Sequence, residues 1–67
     1  MKNKNLTMGE KLRALRGDRT KAEVAEAVGV SFSSYVKYER DERVPNDSVK
    51  VKLANFLGST VSYIFFE

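Results

Sequence analysis

Sixty-seven residues make one small domain, and at that length folding buries only about 60% of the surface the unfolded chain exposes, which excludes a large cleft enzyme. Cysteine and histidine are both absent, so the chain has no disulfide framework, no thiolate nucleophile, no imidazole base and no conventional zinc ligand set. Twelve Lys and Arg against nine Asp and Glu leave a net charge of +3, an excess that allows a polyanionic partner without demanding one.

Residues 1–7 are expected to form a basic amino-terminal arm carrying Lys2 and Lys4, with the folded domain over 8–67. The arm is not followed by an apolar stretch of signal-peptide length, and no apolar run approaches the roughly 20 residues that span a bilayer. The expectation is a cytoplasmic, nucleoid-associated protein that does not engage membranes. Positive charge is concentrated early: residues 1–21 hold seven cations and two anions (Glu10 and Asp18).

The first helix is predicted over Met8–Arg16. Thr7 and Glu10 form a capping box, Leu12 and Leu15 follow at helical spacing, and Gly17 stops the segment. A second capping box, Thr20 with Glu23, opens a helix of about eight residues whose apolar stripe is Val24, Ala25 and Val28, closed by Gly29 in the left-handed C′ position. Ser31 caps a third helix running to about Arg40. Two helices separated by three residues including a glycine meet at a steep angle, the helix-turn-helix geometry, here over about 20–40.

Asp41 to Pro45 form a polar loop. Asn46 or Asp47 then caps a fourth helix carrying Val49, Leu53, Phe56 and Leu57 and ending at Gly58, and a short fifth helix covers about Thr60–Phe66 with Val61, Ile64 and Phe65. A strand is the competing assignment at this end, because Val49-Lys50-Val51-Lys52-Leu53 alternates and Val61 to Phe66 is rich in strand-forming types. Helix is favoured: Leu53, Ala54, Phe56 and Leu57 continue the 3.6-residue period to a glycine stop, and no hairpin signal follows. Each helix is shorter than the roughly 12 to 15 residues that stand alone in water, so the five must share one core. The fold class is an all-α five-helix bundle.

The third helix carries two stripes. Tyr35, Tyr38 and Glu39 fall on one side, where the tyrosines can pack on Leu12, Val24 and Val28 with their hydroxyls reaching toward an edge. Phe32, Ser33, Val36, Lys37 and Arg40 fall on the other. An outward stripe of a large apolar residue, small hydroxyls and two long cations suits a DNA major groove, where Lys or Arg donates to guanine, Ser donates or accepts, and Phe or Val touches a thymine methyl. The bland alternative is that Phe32 folds back onto the second helix and Lys37 and Arg40 are ordinary solvated charges.

The run Thr20 to Pro45 (TKAEVAEAVGVSFSSYVKYERDERVP), followed by Lys52 to Gly58 (KLANFLG) and Val61 to Phe66 (VSYIFF), resembles the XRE-type helix-turn-helix family of Cro and phage repressors. The most specific elements are the Glu-apolar-Ala-x-x-apolar-Gly-apolar-Ser order from Glu23 to Ser31, Tyr35, Glu39 and the Leu53-Ala54 pair. The resemblance implies a lambda-repressor-like domain whose second and third helices read DNA. It implies phosphate contacts by Lys21, Ser31, Arg40 and Arg43, base readout by Phe32, Ser33, Val36 and Lys37, and a partly buried ion pair between Arg16 and Glu39.

Three departures from the family stand out. Lys21 replaces a common glutamine, Gly17-Asp18-Arg19 is a short connection, and Asp41 occupies a usual glycine position; Asp41 and Glu42 also set two anions beside the expected phosphate backbone.

The function implied is sequence-specific binding of double-stranded DNA by a repressor-like homodimer on a pseudo-palindromic operator, with no cofactor, no metal and no small-molecule ligand. The helix 4 to 5 region supplies the candidate dimer surface if Phe56, Tyr63 or Phe66 is exposed; the alternative is that these aromatics complete the core. A protein-interaction module that keeps the fold is the competing function, favoured by the acidic loop. Enzymatic activity is not expected: Glu23 and Glu26 lie three apart on a helix, with no base, phosphate loop or cleft beside them.

Overall fold

The computed structural model describes residues 5–67, so Lys2 and Lys4 of the expected arm lie outside the described residues. Five helices follow one another: α1 (Met8–Arg16), α2 (Lys21–Val28), α3 (Phe32–Glu39), α4 (Asp47–Leu57) and α5 (Val61–Phe66). No strand occurs among the described residues.

Local chemistry sets each start. Thr7 and Thr20 accept from the main-chain N–H of Glu10 and Glu23, and those glutamates accept in return from the N–H of the capping threonine, which satisfies two otherwise unpartnered donors at each helix end. Ser31, Asn46 and Thr60 cap α3, α4 and α5 in the same direction. The Val49–Leu53 alternation is helical because the longer-range pattern prevails: Leu53, Ala54 and Leu57 share one buried stripe on α4, behind the Asn46 cap.

The core is built from Leu12 of α1, Val24, Ala25 and Val28 of α2, Tyr35 and Tyr38 of α3, the α4 stripe and Ile64 of α5. Helix α3 packs on both α1 and α2, while α5 is held by α1 and α4. Tyr35 and Tyr38 meet edge to face, ring centroids 6.2 Å apart at 86°, the arrangement the ring quadrupoles favour.

One expectation needs correction, and one left open is decided. The Tyr35 hydroxyl does not reach an edge: it is buried with no hydrogen-bond partner, its ionisation influenced by the nearby Glu39 and Arg16. Phe56 does not join the α4 core stripe. It lies 39% exposed beneath the Arg19 guanidinium, 5.0 Å from the ring centroid; with Leu53, Ala54 and Leu57 filling the core side, the adjacent position faces outward.

Candidate nucleic-acid interface

The turn between α2 and α3 is fixed by backbone chemistry. Gly29 adopts φ 77°, ψ 31°, a left-handed conformation that glycine takes without Cβ strain. Its N–H bonds to Glu26 O (3.2 Å) while Val30 N–H bonds to Ala25 O (3.0 Å), the paired pattern of a Schellman stop. Val30 packs against the core and Ser31 immediately starts the next helix. The rotation of α3 about its axis is then dictated by burial of Tyr35 and Tyr38.

That rotation turns Phe32, Ser33 and Lys37 to the exterior, with Val36 half-buried at the margin of the same face. Phe32 is 56% exposed and does not fold back onto α2. Lys21, first residue of α2, lies half-buried at the opposite end of that helix from the turn, and neither Lys21 nor Lys37 makes an ion pair with another described residue.

Ser31 is more committed. Its Oγ accepts from Ser34 N–H (3.1 Å) and donates to Ser34 Oγ (2.9 Å), so a phosphate would compete with an existing local bond. Arg43 Nη1 donates to the same Ser34 Oγ at 3.2 Å, folding the loop after α3 back along that helix. Arg40 Nε lies 3.2 Å from Glu42 Oε2, both side chains well exposed; a pair of this kind contributes about 0–1 kcal/mol and is readily exchanged for another anion.

Arg16 and Glu39 meet at 2.7 Å (Nε to Oε2) and 3.2 Å (Nη2 to Oε1), a two-pronged pair joining α1 to the last turn of α3. Its carboxylate is almost fully buried and the guanidinium largely so; Arg16 Nη1 also donates to Arg19 O at 2.9 Å. Hydrogen bonding to Glu39 raises the Arg16 pKa. Burial, together with the neighbouring Glu39 charge, raises the Tyr35 pKa as well.

Asp41 adopts φ 60°, the positive value of a non-glycine residue among those described. Its N–H bonds to Tyr38 O (3.2 Å) and the Glu42 N–H to Lys37 O (2.9 Å), so α3 also ends in a Schellman turn, with aspartate where glycine would sit without strain. The carboxylate accepts from Gly9 N–H at 2.9 Å, within the first turn of α1. The two acidic side chains of the loop are therefore both engaged, Asp41 by a helix amino terminus and Glu42 by Arg40.

Sequence patterning assigned no role to Lys11, a principal structural cation of the domain. Only 5% exposed, it donates from Nζ to Tyr63 O (2.7 Å) and Glu67 O (2.6 Å), and it lies 4.7 Å from the Tyr63 ring centroid. Its position beside Leu12, between Met8 and Leu15, places it on the apolar stripe of α1; that register was the available signal.

The helix-turn-helix family profile matches residues 10–64. The chain belongs to this family, the XRE-type helix-turn-helix proteins that include Cro and phage repressors. Among solved structures, the chain is similar to the P22 c2 repressor, described as a complex with synthetic operator 9T in the presence of Tl+. Identity is 30%, the TM-score 0.88, and the match covers 92% of this chain and 97% of that one. Comparison with curated proteins returned no match. The five-helix bundle is thus a lambda-repressor-like domain, its helix-turn-helix formed by α2, the Gly29–Ser31 turn and α3.

Proposed function

We propose that this chain is a sequence-specific double-stranded DNA-binding regulator, repressor-like in action, that places the start of α3 in the major groove. The observation that carries this reading is the outward face of α3, where exposed Phe32, Ser33 and Lys37 stand together on a chain 30% identical to a repressor described with its operator. Lys37 and Ser33 supply hydrogen bonds to base edges, and Phe32 and Val36 supply apolar contact with thymine methyls. Lys21, Arg40, Arg43 and Ser31 contact phosphates, which set register and most of the salt-dependent affinity without selecting sequence. No catalytic role is assigned, and the protein acts in the cytoplasm, where its DNA is.

One such module buries only about 600–1,000 Å² on DNA, so a homodimer on two half-sites about one helical turn apart is part of the proposal. Phe56, Tyr63 and Phe66 offer the surface: they are 39%, 37% and 70% exposed, on adjacent helices α4 and α5. The protein-interaction alternative drew on the acidic loop, and engagement of Asp41 by Gly9 and of Glu42 by Arg40 weakens that support.

Selection of binding sites from a random duplex pool tests the reading; an enriched pseudo-palindromic motif is expected, and its absence would refute sequence-specific recognition. Lys37→Ala then relaxes preference at one base pair by about 1–3 kcal/mol. Lys21→Ala weakens all sequences alike and lowers the salt slope by about one unit.

A further inference from the structure

We infer that Asp41 is a positioning residue for the DNA-binding face: its carboxylate tethers the loop after α3 to the first turn of α1 and thereby holds Lys37, Arg40 and Arg43 as one fixed array. The inference rests on the DNA-binding reading above.

Three contacts hold Asp41, and they have different requirements. Its own N–H to Tyr38 O and the following N–H to Lys37 O are main-chain bonds, available to any residue that tolerates a φ of 60°. Glycine would make both with less strain. The third, from Gly9 N–H to Asp41 Oδ1 at 2.9 Å, needs a short side chain with an acceptor oxygen. The tether therefore requires a left-handed residue with a short acceptor side chain, which aspartate supplies; the turn alone does not require one.

Gly9 is fitted to the same contact. A Cβ at this position would run into the Glu39 main chain and lie against the Asp41 carboxylate, so α1 approaches the end of α3 more closely than a side chain at position 9 would allow. The Gly9 N–H belongs to the first helical turn, whose donors have no partner within the helix; Asp41 supplies one from 32 residues away. The same short loop bears Arg40 and Arg43, the latter drawn back to Ser34. Fixing Asp41 fixes where those two guanidinium groups start.

Charge and position make opposite predictions. An anion beside the DNA backbone repels it, so removing Asp41 should tighten binding if charge is all that matters. If Asp41 acts by holding the loop, removing its acceptor should weaken binding although an anion has gone. The partial positive charge at the α1 amino terminus offsets much of the carboxylate's repulsion, which lets the positional effect dominate.

The test compares wild type, Asp41→Gly and Asp41→Asn. Anisotropy titrations use the selected duplex at two salt concentrations, well below each melting transition, and amide exchange is measured on the free proteins. Asp41→Gly keeps the turn and loses the tether: binding weakens about fivefold, the equivalent of one lost hydrogen bond, and exchange at Gly9 accelerates about tenfold. Asp41→Asn keeps an acceptor oxygen and tolerance of the left-handed region, so it binds at least as tightly as wild type with exchange unchanged. Undiminished binding by Asp41→Gly, or equal weakening by both variants, overturns the positioning role alone. A wild type that binds no duplex refutes the DNA reading and the positioning role with it.

Discussion

Replacing Lys11 with methionine separates the charge this chain carries from the charge it can present. The ammonium makes two short bonds to main-chain oxygens at the end of α5, 2.7 Å to Tyr63 O and 2.6 Å to Glu67 O, and rests over the Tyr63 ring. Bonds to a charged group contribute about 1.5–3 kcal/mol each, a cation over an aromatic face about 0.5–1, and a cation at a helix carboxyl end about 0.3–1. Against these stands the desolvation of a nearly buried ammonium, which costs several kcal/mol. Methionine keeps the straight apolar stem and removes both sides of that balance, leaving a net destabilisation of about 1–3 kcal/mol. A 67-residue domain is stable by about 3–10 kcal/mol, so the loss is a large fraction, and the melting temperature falls by roughly 5–20 °C. Urea denaturation followed by far-ultraviolet circular dichroism measures it. In the same preparation the DNA salt slope stays at the wild-type value, since Lys11 faces α5 and releases no counterion from DNA. A variant as stable as wild type, or one whose slope drops by about one unit, would refute the assignment of Lys11 to the α1–α5 contact.

Three further substitutions probe the junction of α1 with α3. Glu39→Gln leaves the Arg16 guanidinium without its carboxylate partner in a largely buried site, and stability falls by about 2–4 kcal/mol, somewhat less than for a fully buried pair; a change below about 0.5 kcal/mol by denaturation would remove the pair from the account of the fold. Tyr35→Phe changes stability at neutral pH by less than about 1 kcal/mol, because the deleted hydroxyl has no partner. Its raised pKa acts only in alkali: the unfolded state ionises first, so wild type loses roughly 1.4 kcal/mol per pH unit above about pH 10 through this residue, and the phenylalanine variant lacks that share of the slope in paired denaturation series. Gly9→Ala, which in an open helix adds about 1 kcal/mol of stability, here destabilises by about 1–3 kcal/mol because its Cβ meets the Glu39 backbone; a stabilised variant would show that α1 and α3 are not in such close approach.

What could be read from sequence, and what could not, divides by the range of the interaction. Both capping boxes, the Ser31 cap and the Gly29 stop involve partners within five residues, so spacing alone discloses them. The Tyr35 and Tyr38 stripe was legible because a helix repeats its faces, and the outward placement of Phe32 follows from the same rotation. The roles of Lys11 and Asp41 were missed and the placement of Phe56 was left open, and each is decided across the fold. Lys11 bonds 52 and 56 residues away and Asp41 bonds 32 residues away, while Arg19, which covers Phe56, comes from the α1–α2 connection. The Arg16 and Glu39 pair spans 23 residues, and the family resemblance alone brought it into view.

The same distinction decides which cations matter for DNA. The amino-terminal third holds most of the positive charge, yet Lys11 is given to the end of α5, Arg16 to Glu39, and Arg19 to the carbonyls of Leu15, Arg16 and Phe56. Lys50 of α4 is similarly occupied, beside Asp47 and over the Phe65 and Phe66 rings. What stays available near the helix-turn-helix is Lys21 at the start of α2, Lys37 on the outer face of α3, Arg43 with donors beyond the one it gives Ser34, and Arg40 in an exposed pair with Glu42 that phosphate can displace. Three of the seven cations in residues 1–21 are thus occupied inside the fold, and a local charge count overstates what that stretch can present. The cations spent on internal contacts hold α1, α3 and α5 together, and on the DNA-binding reading proposed above that rigidity would let the remaining ones meet a phosphate backbone of fixed spacing at little entropic cost. Among the described cations near α2 and α3, the proposed reading therefore has salt dependence track Lys21, Lys37, Arg40 and Arg43 and not Lys11, Arg16 or Arg19.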